Sequence, residues 1–188
     1  MFSHASDVLK IFENTFNELN NEFECGYISY MYQYNSYKLA FVTHSEWMDL
    51  YINNGLNKDC SLIRVGLEKI SLSKSKNVIL RWNDVQSITN KEKDTAGIRG
   101  EFNICNGISF GRKILGASDY FGLAADFHYF DFPRNILSNS KRIRKIMDDL
   151  FRASTLKLFY DSILSTNTIN PKLLPLVIDN ICLPFRNF

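Results

Sequence analysis

Tyr27-Ile28-Ser29-Tyr30-Met31-Tyr32-Gln33-Tyr34-Asn35-Ser36-Tyr37-Lys38-Leu39-Ala40-Phe41-Val42-Thr43 is the stretch on which the fold turns. Tyr27 to Tyr32 and Tyr37 to Thr43 are rich in tyrosine, isoleucine, phenylalanine and valine, and Asn35-Ser36 between them has turn chemistry. That predicts a β-hairpin, hence antiparallel rather than parallel pairing.

Before the hairpin, Ser6 is a candidate N-cap, and Val8, Leu9, Phe12, Phe16 and Leu19 recur at helical spacing as one apolar face. After it, Ser45 reads as the cap of a short helix carrying Trp47, Leu50 and Tyr51. Asn53-Asn54-Gly55 ends that helix, glycine taking the left-handed position. A second short helix is expected over residues 61–70, with Leu62, Val65 and Ile70 inward, then a loop over 71–77 and an apolar run at 78–82. Residues 86–100 carry Lys91, Glu92, Lys93 and Asp94 in series, which reads as a solvated helix or loop without chemistry. Two more strands are expected at 102–110 and 120–129, joined by an exposed glycine-bounded connection, 111–116. Pro133 then opens one long helix to about residue 164, with Ile136, Ile143, Ile146, Met147, Leu150, Phe151, Leu158 and Phe159 inward. On that helix Asp148 and Asp149 are expected to pair with Arg144 and Lys145. The expected architecture is an α/β/α sandwich with a central antiparallel sheet flanked by helices. Residues 1–165 form the domain, and 166–188, with Pro171, Pro175 and Pro184, form a tail or linker.

Composition supports a self-sufficient core: of 188 residues, 45% are hydrophobic, with 15 phenylalanines and 9 tyrosines. The net charge of +2 exerts no strong pull on nucleic acid or an anionic membrane. No apolar run is long enough to span a bilayer, and the first residues lack the pattern of a secretory signal. Cys25, Cys60, Cys105 and Cys182 are scattered, with no CxxC pair and no histidine at metal-ligand spacing, as in a reduced, cytoplasmic protein. No cofactor and no metal are expected.

Motifs for nucleophilic, phosphate-cradling, zinc or dinucleotide chemistry are missing, and His4, His44 and His128 are far apart. A thiol–imidazole pair, Cys60 with His44 or Cys105 with His128, would have to be built by folding, so the expectation is a protein that is not an enzyme. The more informative segment is 43–82. Trp47 and Tyr51, four apart on a helix, share a face and offer an N–H and an O–H on apolar bodies. Asp59 supplies a carboxylate able to accept from an N–H, and Trp82 a ring able to cover a chain. Without any further clue these read first as ordinary core aromatics and a surface carboxylate.

Ser45-Glu46-Trp47-Met48-Asp49-Leu50-Tyr51, Asp59, Leu80-Arg81-Trp82 and Asn106-Gly107-Ile108-Ser109-Phe110 together resemble the N-terminal autoinducer-binding domain of LuxR-type transcriptional regulators. The likeness covers roughly residues 5 to 165. It implies an acyl-homoserine lactone or related signal held between the sheet and one helical layer. Trp47 would donate to a lactone carbonyl and Asp59 accept from the amide N–H. Tyr51, Trp82 and Ser109 would line the pocket. Thr43 stands where family members often have tyrosine and Cys60 where proline usually follows the aspartate, so the chain looks most like the divergent "solo" regulators. The resemblance also implies a homodimer, and DNA contact only through a helix-turn-helix outside these residues. The other class consistent with the sequence is a ligand-free dimerisation or interaction module of the same fold.

Overall fold

The hairpin forms where the side-chain alternation puts it. In a computed structural model describing residues 5–72 and 77–166, with side chains from 9 to 162, β1 (Tyr27–Tyr34) pairs antiparallel with β2 (Tyr37–Val42). Tyr34 faces Tyr37 across a two-residue turn in which Asn35 takes a left-handed φ of 52°. Thr43 lies just past the strand, and its Oγ accepts from the Ile28 N–H at 2.9 Å.

The second hairpin departs from expectation. The strands are β4 (Asn106–Ile114) and β5 (Ala117–Ala125), so residues 111–114 are paired sheet and not an exposed connection. Only Leu115 and Gly116 turn, with φ of 49° and 84°, as a tight primed turn requires. Gly111 and Arg112 look like loop residues yet have interior reasons to be there. A Cβ on Gly111 would sit 2.9 Å from Ile70, and Arg112 is buried in an ion network. With β3 (Asn77–Arg81) the sheet reads β2-β1-β5-β4-β3, antiparallel throughout.

Helices cover both faces, giving the expected α/β/α sandwich. One face carries α1 (Ala5–Phe23), α5 (Phe132–Ser138) and α6 (Ser140–Thr166). Phe12, Phe16, Leu19 and Phe23 of α1 pack with Tyr30, Ile108, Phe121, Ile143 and Leu150 as the main core, whereas Leu9 is exposed. The side chains of Ser6 and Val8, residues 73–76 of the stretch expected as a loop, and residues 167–188, expected as a tail or linker, lie outside the described residues. The single long helix expected from Pro133 is two, broken at Asn139. The Asn139 amide donates to the Asn135 carbonyl at 3.0 Å, and such side-chain bonds compete with the helical ladder. Asp148 pairs with Arg112 and Asp149 with Arg152, not with the basic residues just before them.

The other face carries α2 (Ser45–Asn53), α3 (Ser61–Leu72) and α4 (Asn90–Glu101). Ser45 is the first helical residue, and His44, not Ser45, occupies the cap position, without a side-chain cap bond. Gly55 takes the left-handed φ of 69° as expected. The charged run is not wholly solvated. Glu92 is buried against α3 and accepts from Arg64 Nε at 2.6 Å and from the Ile88 N–H at 2.7 Å. Arg64 and those donors hold the Glu92 carboxyl down at about 2, against an ordinary value of 4.5. A carboxyl lowered on folding stabilises above its unfolded value, and that contribution is lost as pH falls towards the folded one. The melting temperature is therefore expected to drop between about pH 4.5 and 2, and Glu92→Gln to flatten that drop. Superimposable pH–melting profiles for the two proteins would contradict this role.

Candidate functional site

The site is assembled on the α2–α4 face of the sheet. Ser29 of β1, Gly122 of β5 and Ser109 of β4 are register partners in one row, with Tyr27, Ala124 and Gly107 in the next. Small residues at the centre of the sheet leave room for what the helices bring down. Trp82, at the start of the short 3-10 turn Trp82–Asp84 after β3, lies directly over Gly107. A Cβ there would be 2.2 Å from the indole. The Trp82 Nε1–H donates to Ser109 Oγ at 2.7 Å.

Helix α2 delivers Trp47 and Tyr51 on one face, their ring centroids 5.0 Å apart. Trp47 also meets Phe102, at the end of α4, at 5.6 Å, and Tyr27 meets Trp82 at 6.3 Å. Ile104 and Ala124 complete the buried set, with Leu56, Leu62 and Ile98 packed against it. Burial pushes the Tyr51 and Tyr27 hydroxyls well above and above the ordinary phenol range respectively, so both are neutral donors at neutral pH.

The structure thus brings Trp47, Tyr51 and Trp82 together and bonds Ser109 to Trp82. Asp59 is not in the cluster. It ends a 3-10 turn (Leu56–Asp59), its side chain is 42% exposed, and its carboxylate lies 3.8 Å from Lys91 Nζ. Three participants escaped the sequence: Tyr27, Phe102 and Arg99. Arg99 holds its guanidinium carbon 4.9 Å from the Trp82 ring centre and donates through Nε to the Ile104 carbonyl at 3.1 Å. The spacing Thr95, Ile98, Arg99, Phe102 on α4 was the available signal, masked by the charges around it.

Clefts open to solvent among the described residues include two. One, of about 390 Å³, lies at the β3 edge between Arg64, Lys69, Arg81 and Ile88. The other, of about 580 Å³, borders the aromatic cluster through Phe102 and through His44, whose ring lies 6.0 Å from Tyr27. His44 faces Thr43 Oγ and Tyr27, and His128 stacks on Phe127, so neither imidazole is seen meeting a thiol. Cys25 is buried, and its thiol is pushed up to about 12 by desolvation, which makes it inert. Among the described residues no three His, Cys, Asp or Glu side chains gather as metal ligands. No described helix is long and apolar enough to cross a membrane.

No family model and no curated protein sequence matches the chain. Its fold, however, is similar to that of solved structures. SdiA in complex with octanoyl-rac-glycerol superposes with a TM-score of 0.54 at 14% identity, over 84% of this chain and 65% of that one. Escherichia coli SdiA in the space group P6522 gives 0.51 at 11%, over 82% and 66%. The VqsR ligand-binding domain from Pseudomonas aeruginosa gives 0.54 at 10%, over 79% and 94%. The chain spans about two thirds of the SdiA length and nearly all of the VqsR domain. At the level of architecture, the protein has the fold of the autoinducer-binding domains of LuxR-type regulators.

Proposed function

We propose that this chain is the small-molecule-sensing domain of a LuxR-type transcriptional regulator and not an enzyme. In this account an acyl-homoserine lactone or a related acyl amphiphile enters between the sheet and α2–α4. The observation that carries the proposal is the Trp47–Tyr51–Trp82 cluster over a floor of Ser29, Gly107, Ser109 and Gly122. It combines apolar walls with several hydrogen-bonding heads on a sheet cleared of bulk, as sites for small amphiphiles do. An octanoyl glycerol bound to SdiA, a protein of similar fold, supports an acyl chain as the apolar part. The domain acts as a cytoplasmic homodimer and reaches DNA through a helix-turn-helix outside these residues. Residues 166–188 serve as the linker.

Binding requires rearrangement, because Trp82 rests on Gly107 and its N–H is spent on Ser109. That packing favours a second account, a ligand-free interaction module in which the aromatics are simply core. Three variants separate the two. In a sensing domain, Trp47→Phe deletes a donor at little cost in bulk and should lower the ligand-induced stabilisation by about 1–3 kcal/mol. In the scheme the resemblance implies, Asp59 turns from Lys91 to accept the ligand's N–H, and Asp59→Ala should then weaken ligand binding more than Asp59→Asn, whose amide oxygen can still accept. Asp59 is half exposed beside Lys91, so Asp59→Ala should change ligand-free stability by less than about 1 kcal/mol. Thermal shifts with and without octanoyl-homoserine lactone read all three. Equal ligand-induced shifts in parent and variants would remove Trp47 and Asp59 from the site.

A further inference from the structure

We propose that the ligand of the aromatic cluster carries a carboxylate head and that Arg99 receives it. The proposal rests on the cluster being a ligand site and names the chemistry of what binds there. Arg99 is partly buried on α4, stacked on Trp82 at 4.9 Å, with one N–H given to the Ile104 carbonyl. Among the described residues no carboxylate lies within ion-pair distance of it. The titratable groups facing it are Tyr27, Tyr51, Cys60 and Cys105. Burial holds the Tyr27 and Tyr51 phenols neutral, so neither supplies the guanidinium with a counter-charge. Desolvation disfavours the Arg99 cation, the direction expected of a charge lacking a partner.

A partly desolvated cation among aromatic rings is costly unless an anion completes it. Among the described residues the other arginines that are not exposed each have one: Arg112 has Asp119 and Asp148, Arg64 has Glu92, and Arg142 has Glu18 and Glu22. A guanidinium presents paired N–H groups in the plane that a carboxylate matches, and its Nη groups are the ones left without a protein partner here. One helical turn earlier, Thr95 places on the same side of α4 a buried hydroxyl that has no hydrogen-bond partner, and the Asn57 amide oxygen is buried and unpartnered as well. On α4, then, the unspent Nη groups of Arg99 and the unspent hydroxyl of Thr95 share one side of the helix. A fatty-acid-like amphiphile fits: its chain replaces aromatic contacts over the Ser29–Gly122–Ser109 row, and its head meets Arg99.

Two probes of equal chain length test this, octanoate and octanoyl-rac-glycerol, titrated against the intact chain by isothermal calorimetry. The proposal predicts that octanoate binds more tightly than the neutral ester. Arg99→Gln should weaken octanoate by about tenfold or more and leave the ester within about threefold. Arg99→Lys, which keeps the charge, should retain the preference, and should Arg99→Gln fail to fold, the octanoate-to-ester ratio in the parent and in Arg99→Lys decides alone. Equal binding of both probes, or an ester preference that Arg99→Gln does not alter, overturns the carboxylate assignment while leaving the cluster a ligand site. Binding of neither probe, with melting temperature and tryptophan emission also unmoved, overturns the cluster as a site and this proposal with it.

Discussion

Asp119→Ala is expected to cost the fold about 3–5 kcal/mol, the largest stability loss of any single truncation considered. Asp119 is fully buried on β5 and accepts from Arg112 Nε and Nη2, each at 2.8 Å, and from the Tyr30 hydroxyl at 3.3 Å. Burial alone pushes its carboxyl up, and the Arg112 guanidinium opposes that by favouring the charge. Arg112 also reaches Asp148 and the Met147 carbonyl, so this cluster ties the sheet to α6. Removing the aspartate leaves the buried Arg112 only Asp148 and the Met147 carbonyl and takes from the Tyr30 hydroxyl its carboxylate acceptor, which costs more than the pair itself contributes. The double variant Arg112→Met, Asp119→Leu should therefore be less destabilised than the sum of the singles. Urea unfolding midpoints at constant slope measure this, and a loss under about 1 kcal/mol for Asp119→Ala would mean that the network is solvated.

The second large effect is expected at Gly107. An added Cβ would stand 2.2 Å from Cδ2 and Cε3 of Trp82, and the obstacle is a rigid indole on a sheet that cannot retreat. Gly107→Ala should destabilise by about 1–3 kcal/mol as an overpacked core site, and Gly107→Val by more. Trp82 must also give up its bond to Ser109, so its emission should shift to the red. Gly122 is the built-in comparison. A Cβ there meets Ser29 Oγ at 2.6 Å, the end of a side chain that can rotate, so Gly122→Ala should cost less. If Gly122→Ala proves the more damaging, the indole does not lie where the cluster requires it.

Elements governed by local rules were legible in the sequence. The first hairpin and α2 announced themselves by alternation and by a glycine stop, because no distant contact is needed to satisfy them. Residues 111–114 were misread since glycine and charge usually mark loops. Here Gly111 makes room for Ile70, and Arg112 finds its partners 7 and 36 residues away. The break at Asn139 depends on side-chain bonds that helical periodicity does not register. Glu92 and Arg99 were hidden for the same reason: a run of like residues conceals which of them turn inward once α4 docks. For the site, spacing placed Trp47 with Tyr51, the end of an apolar run marked Trp82, and the resemblance supplied Ser109. Only the three-dimensional fold could show Tyr27 and Phe102 closing around them, or Asp59 reaching towards Lys91.

In the proposed function the cluster between the sheet and α2–α4 opens to admit a small amphiphile. The chain has two tryptophans, and both stand in that cluster, so emission excited selectively from tryptophan over the nine tyrosines reports on the site. The direct measurement is a titration of the chain with octanoyl-homoserine lactone, octanoyl-rac-glycerol and octanoate, read by tryptophan emission. The account predicts a saturable change with at least one of the three, because any occupant must displace Trp82 from Gly107 and Ser109. Emission that stays flat for all three up to their solubility limits, beside an unmoved melting temperature, would contradict it and leave a closed aromatic core.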